Sequence, residues 1–197
     1  MSKERVAAFS DGVIAILITV MVLELKTPEG IDLKALLASG PVFFSYVLSF
    51  VYIAIYWNNH HHFFQLVRRV DGLVLWGNMH LLFWLSLVPF STAWMGENGF
   101  APLPTALYGF TLLMPALAWF LMQKAVGRLP ENAALIAALG TDVKGMVSPF
   151  LYVAGIVAAF FAPWIAAAFY IAVAVMWLVP DRRVERAVAR HEGGGAD

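Results

Sequence analysis

The sequence contains no cysteine, which excludes disulfide bonds, thiolate metal sites and cysteine nucleophiles. It is also poor in charge: only 13% of its 197 residues are Asp, Glu, Lys or Arg, and the formal net charge is zero. A neutral chain offers no global electrostatic basis for binding nucleic acid. The G-x-S-x-G elbow, the phosphate-binding loop and the H-E-x-x-H motif are missing too. We therefore predict that the chain is not an enzyme, does not bind nucleic acid and needs no cofactor.

The chain is instead unusually rich in apolar residues, which make up 61% of it. An ordinary soluble domain is nearer half apolar and a quarter charged. The excess apolar area predicts an integral membrane protein. The first apolar run lacks a small-residue cleavage site and ends in Leu23, Glu24, Leu25 and Lys26. We expect it to be a retained helix and not a cleaved signal peptide.

A spanning helix needs roughly 20 mostly apolar residues. The apolar runs predict an all-α, polytopic fold with six transmembrane helices in residues 1–180. The predicted spans are Phe9–Leu25, Pro41–Phe64, Leu73–Met95, Leu103–Met122, Val147–Phe161 and Pro163–Val179. The last two meet at a tight turn, and one long kinked helix there is the alternative. Residues 181–197 are predicted to be a charged, partly disordered cytoplasmic tail.

The distribution of basic residues predicts the orientation. With the N-terminus inside, eleven basic residues lie in inner segments and two, Lys26 and Lys34, lie outside. The eleven are Lys3, Arg5, Arg68, Arg69, Lys124, Arg128, Lys144, Arg182, Arg183, Arg186 and Arg190. This positive-inside bias predicts that both termini are cytoplasmic.

The first span has two distinct faces, because helical residues are about 100° apart. Ile16, Thr19, Val20 and Leu23 share one arc, which Gly12 and Phe9 extend inward. Asp11, Ile18 and Val22 lie on the far side. An acidic group at bilayer depth costs about 2.5–3.5 kcal/mol on insertion scales, so Asp11 is expected to point into the bundle towards a partner. On geometry alone, the isoleucine-threonine-leucine stripe is expected to face lipid, as such a stripe usually does.

The stretch from Arg5 through Phe9-Ser10-Asp11 to the helix ending in Leu23-Glu24-Leu25 resembles the RxxxFSD signature of the transmembrane protein 175 family. Members of that family are potassium-permeable channels of lysosomes and prokaryotes. A chain with a single six-span unit resembles the prokaryotic type. The resemblance implies a homotetramer in a prokaryotic plasma membrane, with the first helix of each subunit lining a central pore.

The same resemblance implies roles for the residues of the first span. Ile16 takes the place of a hydrophobic constriction and Thr19 of a hydroxyl layer, with Val20 and Leu23 as further apolar rings. No carbonyl-type filter sequence is present. The implied function is a passive potassium-permeable cation channel of modest selectivity. A secondary transporter and a proton-permeable channel are the alternatives.

Arg5, Phe9, Ser10 and Asp11 would then be structural, anchoring the inner end of the pore helix to the second and third spans. The candidate partners of this motif are Trp57, Asn58, His61, Asn78 and His80. The run His60-His61-His62 does not predict a metal site, because consecutive helical side chains diverge by about 100°.

Overall fold

The computed structural model describes residues 2–140 and 142–178, and these are helical apart from short connections. The predicted all-α fold is confirmed, while the predicted tail over 181–197 lies outside the described residues. The helices are α1 (Lys3–Leu23), α2 (Leu33–Ala38), α3 (Gly40–Leu66), α4 (Gly72–Ser86), α5 (Val88–Glu97), α6 (Pro102–Gly127), α7 (Ala133–Leu139), α8 (Val143–Ala159) and α9 (Pro163–Leu178). A 3₁₀ turn, Pro130–Asn132, precedes α7.

Each of the six predicted spans coincides with an apolar helix or helix pair, but the six are not equally long. In the described part of the chain, four are long enough to cross a bilayer: Lys3–Leu23, Gly40–Leu66, Gly72–Glu97 and Pro102–Gly127. Val143–Ala159 and Pro163–Leu178 are shorter. The 17 residues of α8 rise only about 26 Å, against a hydrocarbon core of about 30 Å. The six-helix count is thus supported in part.

The third span is two helices because of Pro89. Helix α4 ends at Ser86, α5 begins at Val88, and Pro89 occupies the first turn of α5. Proline has no backbone N–H to donate and clashes with the preceding turn, so a continuous helix breaks there. Pro115, by contrast, lies within α6, which continues through it without a break.

Helix α6 is the centre of the subunit and divides its core in two. One apolar cluster joins α1, α3, α4 and α6, and the other joins α3, α5, α6, α8 and α9. Within the second cluster, Tyr170 of α9 packs against Gly109 and Gly155. A Cβ added at Gly109 would lie 2.0 Å from the Tyr170 hydroxyl oxygen, and one added at Gly155 would lie 2.4 Å from a Tyr170 ring carbon. These glycines let α9 approach α6 and α8 closely. They hold the last hairpin against the rest of the bundle.

Candidate functional site

Helix α1 packs on its own subunit through one narrow face. Its buried residues recur every three or four positions, as expected for one side of a helix. They are Val6, Ser10, Ile14, Leu17 and Met21. The opposite face carries Ile16, exposed over 60% of its surface, and Leu23, exposed over 81%. Thr19 and Val20 lie on the same exposed side. An apolar stripe of α1 is therefore left uncovered by the subunit.

Thr19 makes only a local contact. Its hydroxyl donates to the carbonyl of Ile16, one turn back, at 2.9 Å. A hydroxyl oxygen carries two acceptor lone pairs besides its single proton. Because the proton is used within the helix, the oxygen is left as an acceptor on the exposed face.

Ser10, and not Asp11, is the fully buried polar residue of the motif. Asp11 is half-buried, and its Oδ1 is buried with no hydrogen-bond partner in the described part of the chain. The buried face of α1 is centred near Ser10 and Ile14, about 100° round from Asp11. The acidic residue thus lies at the edge of the packed face.

Ile18 and Val22 were predicted to lie opposite the stripe. Ile18 is partly buried and packs against the core, while Val22 is 46% exposed.

Three buried polar side chains connect α1 to α3 and α4. The Asn78 amide donates to Ser10 Oγ at 2.9 Å, and His60 Nε2 lies 2.8 Å from Asn78 Oδ1, where its N–H can donate. Ser10 Oγ in turn donates to the carbonyl of Val6 at 2.9 Å. All three side chains are at most 2% exposed. We call Ser10, Asn78 and His60 the anchor cluster.

Of the five predicted partners, only Asn78 contacts the motif on α1. Trp57 stacks on His61, His61 bonds Gln65, and the backbone carbonyl of Asn58 contacts His62. His80 accepts from Trp84. These four therefore make local contacts on their own helices.

Arg5 is exposed and forms no ion pair within residues 2–140 and 142–178. Phe9 is 52% exposed. Both residues therefore lie on the open side of α1 and not in the anchor cluster.

Sequence reasoning missed His60, which it considered only as part of a histidine run. A usable signal was present, because His60 follows the buried Ile53 by seven residues and precedes the buried Phe64 by four. That spacing places it on the packed face of α3. Its ring stacks on Phe64 with centroids 4.4 Å apart. Among the described residues, no three His, Asp or Glu side chains are grouped closely enough for a metal ion.

The end of the bundle that carries the N-terminus is held by a polar network between two loops. The Asn132 side chain, 1% exposed, accepts from the backbone amides of Arg68 and Arg69 at 2.8 Å and 3.1 Å. Arg69 pairs with Glu131, and Arg128 with Asp71. The backbone amide of Val74 and the Arg128 charge both lower the pKa of Asp71. This network fixes the connection that orients α3 and α4 behind α1.

At the opposite end, Lys26 forms a 2.6 Å ion pair with Glu97, which links the chain after α1 to the end of α5. The hydrogen bond that the Lys26 ammonium donates to the Glu97 carboxylate raises the pKa of Lys26. Glu24 is exposed next to this pair, in the same recess. A carboxylate therefore lies just beyond the exposed stripe of α1.

Comparisons with known proteins identify the family. Residues 5–89 match the family model described as endosomal/lysosomal potassium channel TMEM175. A protein of Chryseobacterium sp. named as a potassium channel is 49% identical over 189 residues, which cover 95% of this chain and 98% of that protein. Human TMEM175, named as an endosomal/lysosomal proton channel, is 41% identical over 81 residues, which are 35% of this chain and 16% of that one.

A solved structure is similar over most of the chain. The crystal structure of a lysosomal potassium-selective channel TMEM175 homolog from Chamaesiphon minutus superposes with a TM-score of 0.76 at 29% identity. The match covers 90% of this chain and 96% of that one. The likeness therefore extends well beyond the matched N-terminal half.

The anchor cluster leads to a prediction that separates two neighbouring histidines. We expect His60→Ala to leave Asn78 incompletely paired in a buried site, at a cost of about 1–3 kcal/mol for the unmade hydrogen bond. His61→Ala should change little, because His61 bonds only Gln65 on its own helix. The measurement is the thermal unfolding midpoint of each of the two variants in detergent. Equal midpoints for both variants would contradict the structural role of the cluster.

Proposed function

The chain belongs to the TMEM175 family of ion channels, and from that premise we propose that it is a potassium-permeable channel lined by α1. One observation carries the proposal: α1 packs one face on its own subunit and leaves the stripe of Ile16, Thr19 and Leu23 exposed. The chain is an integral membrane protein of a cation-channel family. The bacterial relative that spans almost its whole length is named as a potassium channel, which supports the choice of ion.

The proposed pore needs several copies of the chain, because each copy contributes one such stripe. A single helix cannot enclose a water path, whereas four stripes facing a common axis can. We propose a homotetramer with both termini cytoplasmic in a prokaryotic plasma membrane. The orientation is supported by the basic residues: the end carrying the N-terminus also carries Arg68, Arg69 and Arg128.

In this pore Ile16 forms the narrowest ring. Four isoleucine side chains offer no oxygen to replace an ion's hydration shell, so passage favours the cation that loses water at the lower cost. Potassium dehydrates more readily than sodium, which produces a modest preference. Hydrophobic constrictions also gate by dewetting. The ring at Ile16 thus serves as both a barrier and a weak filter.

Residues outward of Ile16 complete the proposed path. The Thr19 hydroxyl, whose proton is donated to the Ile16 carbonyl, presents acceptor lone pairs to a partly hydrated cation. Val20 and Leu23 add apolar surface, and Glu24 raises the local cation concentration at the outer mouth. The anchor cluster does not touch the ion in this scheme. It holds α1 at the rotation that exposes the stripe.

The test of the whole proposal is flux through purified protein in liposomes. Passive current with a reversal potential that follows the potassium gradient supports the channel. Saturable counterflow of a small solute, with no current, would instead indicate a secondary transporter. A reversal potential that follows only the pH gradient would indicate a proton channel, the activity by which the human relative is named.

Assembly provides a separate prediction. Native mass spectrometry in mild detergent should find four chains per particle, because the exposed apolar stripe of α1 needs partner copies. A population made only of monomers, under conditions where the protein carries current in liposomes, would contradict a pore lined by four α1 helices.

The stripe itself is tested by two isoleucines on different faces of α1. Ile16→Asn should wet the constriction, raising unitary current and lowering the preference for potassium over sodium. Ile18→Asn should lower stability with little effect on the selectivity of assembled channels, because Ile18 packs against the subunit core. The measurements are the unitary current and the bi-ionic reversal potential of each of the two variants. If only Ile18→Asn alters permeation, the face is misassigned.

The hydroxyl layer is tested at Thr19. Thr19→Val keeps the shape of the side chain but removes its oxygen, so we expect a smaller preference for potassium over sodium with current still present. Thr19→Ser, which restores the hydroxyl, should recover the wild-type reversal potential. A Thr19→Val channel with unchanged selectivity would show that this oxygen does not contact the permeating ion.

A further inference from the structure

A cavity of about 270 Å³ lies between α3, α6, α8 and α9, well away from the exposed stripe of α1. It arises because α6 packs closely on α8 and α9, and α3 packs on α9, while α3 stays farther from α6 and α8. Aromatic side chains form a large part of its walls: Tyr52, Tyr56, Trp119, Phe120, Tyr152 and Trp177. The cavity therefore combines a large apolar surface with a few polar groups.

One end of the cavity presents hydrogen-bonding groups. The side chains of Asn59 and Gln123 line it, and neither has a hydrogen-bond partner within residues 2–140 and 142–178. Both are half-buried. Each amide offers two N–H donors. A polar ligand group with acceptor oxygens would satisfy them.

Positive charge lies next to the same cavity. The ammonium of Lys124 lies 4.5 Å from the ring centroid of Phe120, and that of Lys144 lies 5.9 Å from the ring of Trp177. Both rings line the cavity. Lys124 forms no ion pair with a described carboxylate. The Asp142 carboxylate also lines the cavity, but its Oδ1 already accepts from the Gly145 amide at 2.9 Å.

The cavity is also bordered by residues that face out of the bundle. Phe120 is 50% exposed and Met146 is 51% exposed, and both contribute to the lining. The cavity is therefore open at the outer surface of the subunit, where a ligand can enter from the side.

We propose that this cavity binds one membrane phospholipid. An acyl chain enters between the aromatic walls, the ester carbonyls accept from Asn59 and Gln123, and the phosphate lies near Lys124. Basic pockets between transmembrane helices bind phosphate head groups in this way. The chain would fill the gap between α3 and α8. The lipid site does not include the residues of the proposed ion path, so the two proposals can be tested separately.

Phosphatidylglycerol is the probe, and diacylglycerol with the same chains is its control, because the two differ in the phosphate head group. Native mass spectrometry of delipidated protein, titrated with each lipid, should show one phosphatidylglycerol retained per chain and no comparable binding of diacylglycerol. Equal retention of the two lipids, or none of either, would overturn the proposal.

Matched variants locate the site. Ala116→Leu fills the cavity and should abolish the retained lipid, whereas Ala168→Leu adds the same atoms on an exposed surface and should not. Lys124→Gln should weaken phosphatidylglycerol binding about fivefold, in line with the usual contribution of one basic residue. Lys34→Gln, on the short helix α2, is the charge control. Unchanged binding in both Ala116→Leu and Lys124→Gln would place the lipid elsewhere.

A second measurement uses the unmodified protein, so it does not depend on how a variant folds. Phosphatidylglycerol with a photoactivatable group in its acyl chain should label peptides of α6 and α8 that line the cavity, at low lipid-to-protein ratio. Excess unlabelled phosphatidylglycerol should displace this labelling. Labelling that is spread over exposed positions such as Phe150 and Trp164, and is not displaced, would refute a defined site.

Discussion

The hydrogen bonds among Ser10, Asn78 and His60 set the rotation of α1, and the rest of the proposed function depends on that rotation. In a bilayer, a buried polar group without a partner costs several kcal/mol, because no water is available to replace the lost bond. Turning α1 by one residue would move Ser10 away from Asn78 and bring Phe9 or Asp11 there instead, depending on the direction. The cluster thus presents Ile16 and Thr19 away from the subunit without itself meeting the ion.

The two halves of the subunit differ in what holds them together. Around α1, α3 and α4 the core is closed, and short loops held by Asn132 and two ion pairs limit movement at the end of the bundle. Around α8 and α9, Tyr170 inserts against Gly109 and Gly155, yet a cavity remains beside α3. The proposed channel needs rigidity where α1 is anchored. The other half contains the cavity in which we propose that a lipid binds.

Several features of the candidate site were accessible from the sequence, and others were not. Helical spacing alone places Ile16, Thr19 and Leu23 on one face of α1, and Asn78 was among the partners considered for the motif. The choice of Ser10 over Asp11 as the inward-pointing group was not accessible, because both are polar and differ by only 100° on the helix. His60 was missed because the three histidines were considered together, and its helical spacing from Ile53 and Phe64 was not used.

The sequence by itself determined the membrane class, the positions of the apolar helices and the family, since each follows from composition, apolar run length and a local motif. Only the tertiary structure decided which side of α1 is covered, how Pro89 divides the third span, and where α3 and α8 leave a cavity. These depend on contacts between residues far apart in the chain: Ser10 and Asn78, for example, are separated by 68 positions. Helical periodicity describes one helix at a time, whereas the docking of helices against each other is settled by side-chain packing and by the pairing of buried polar groups.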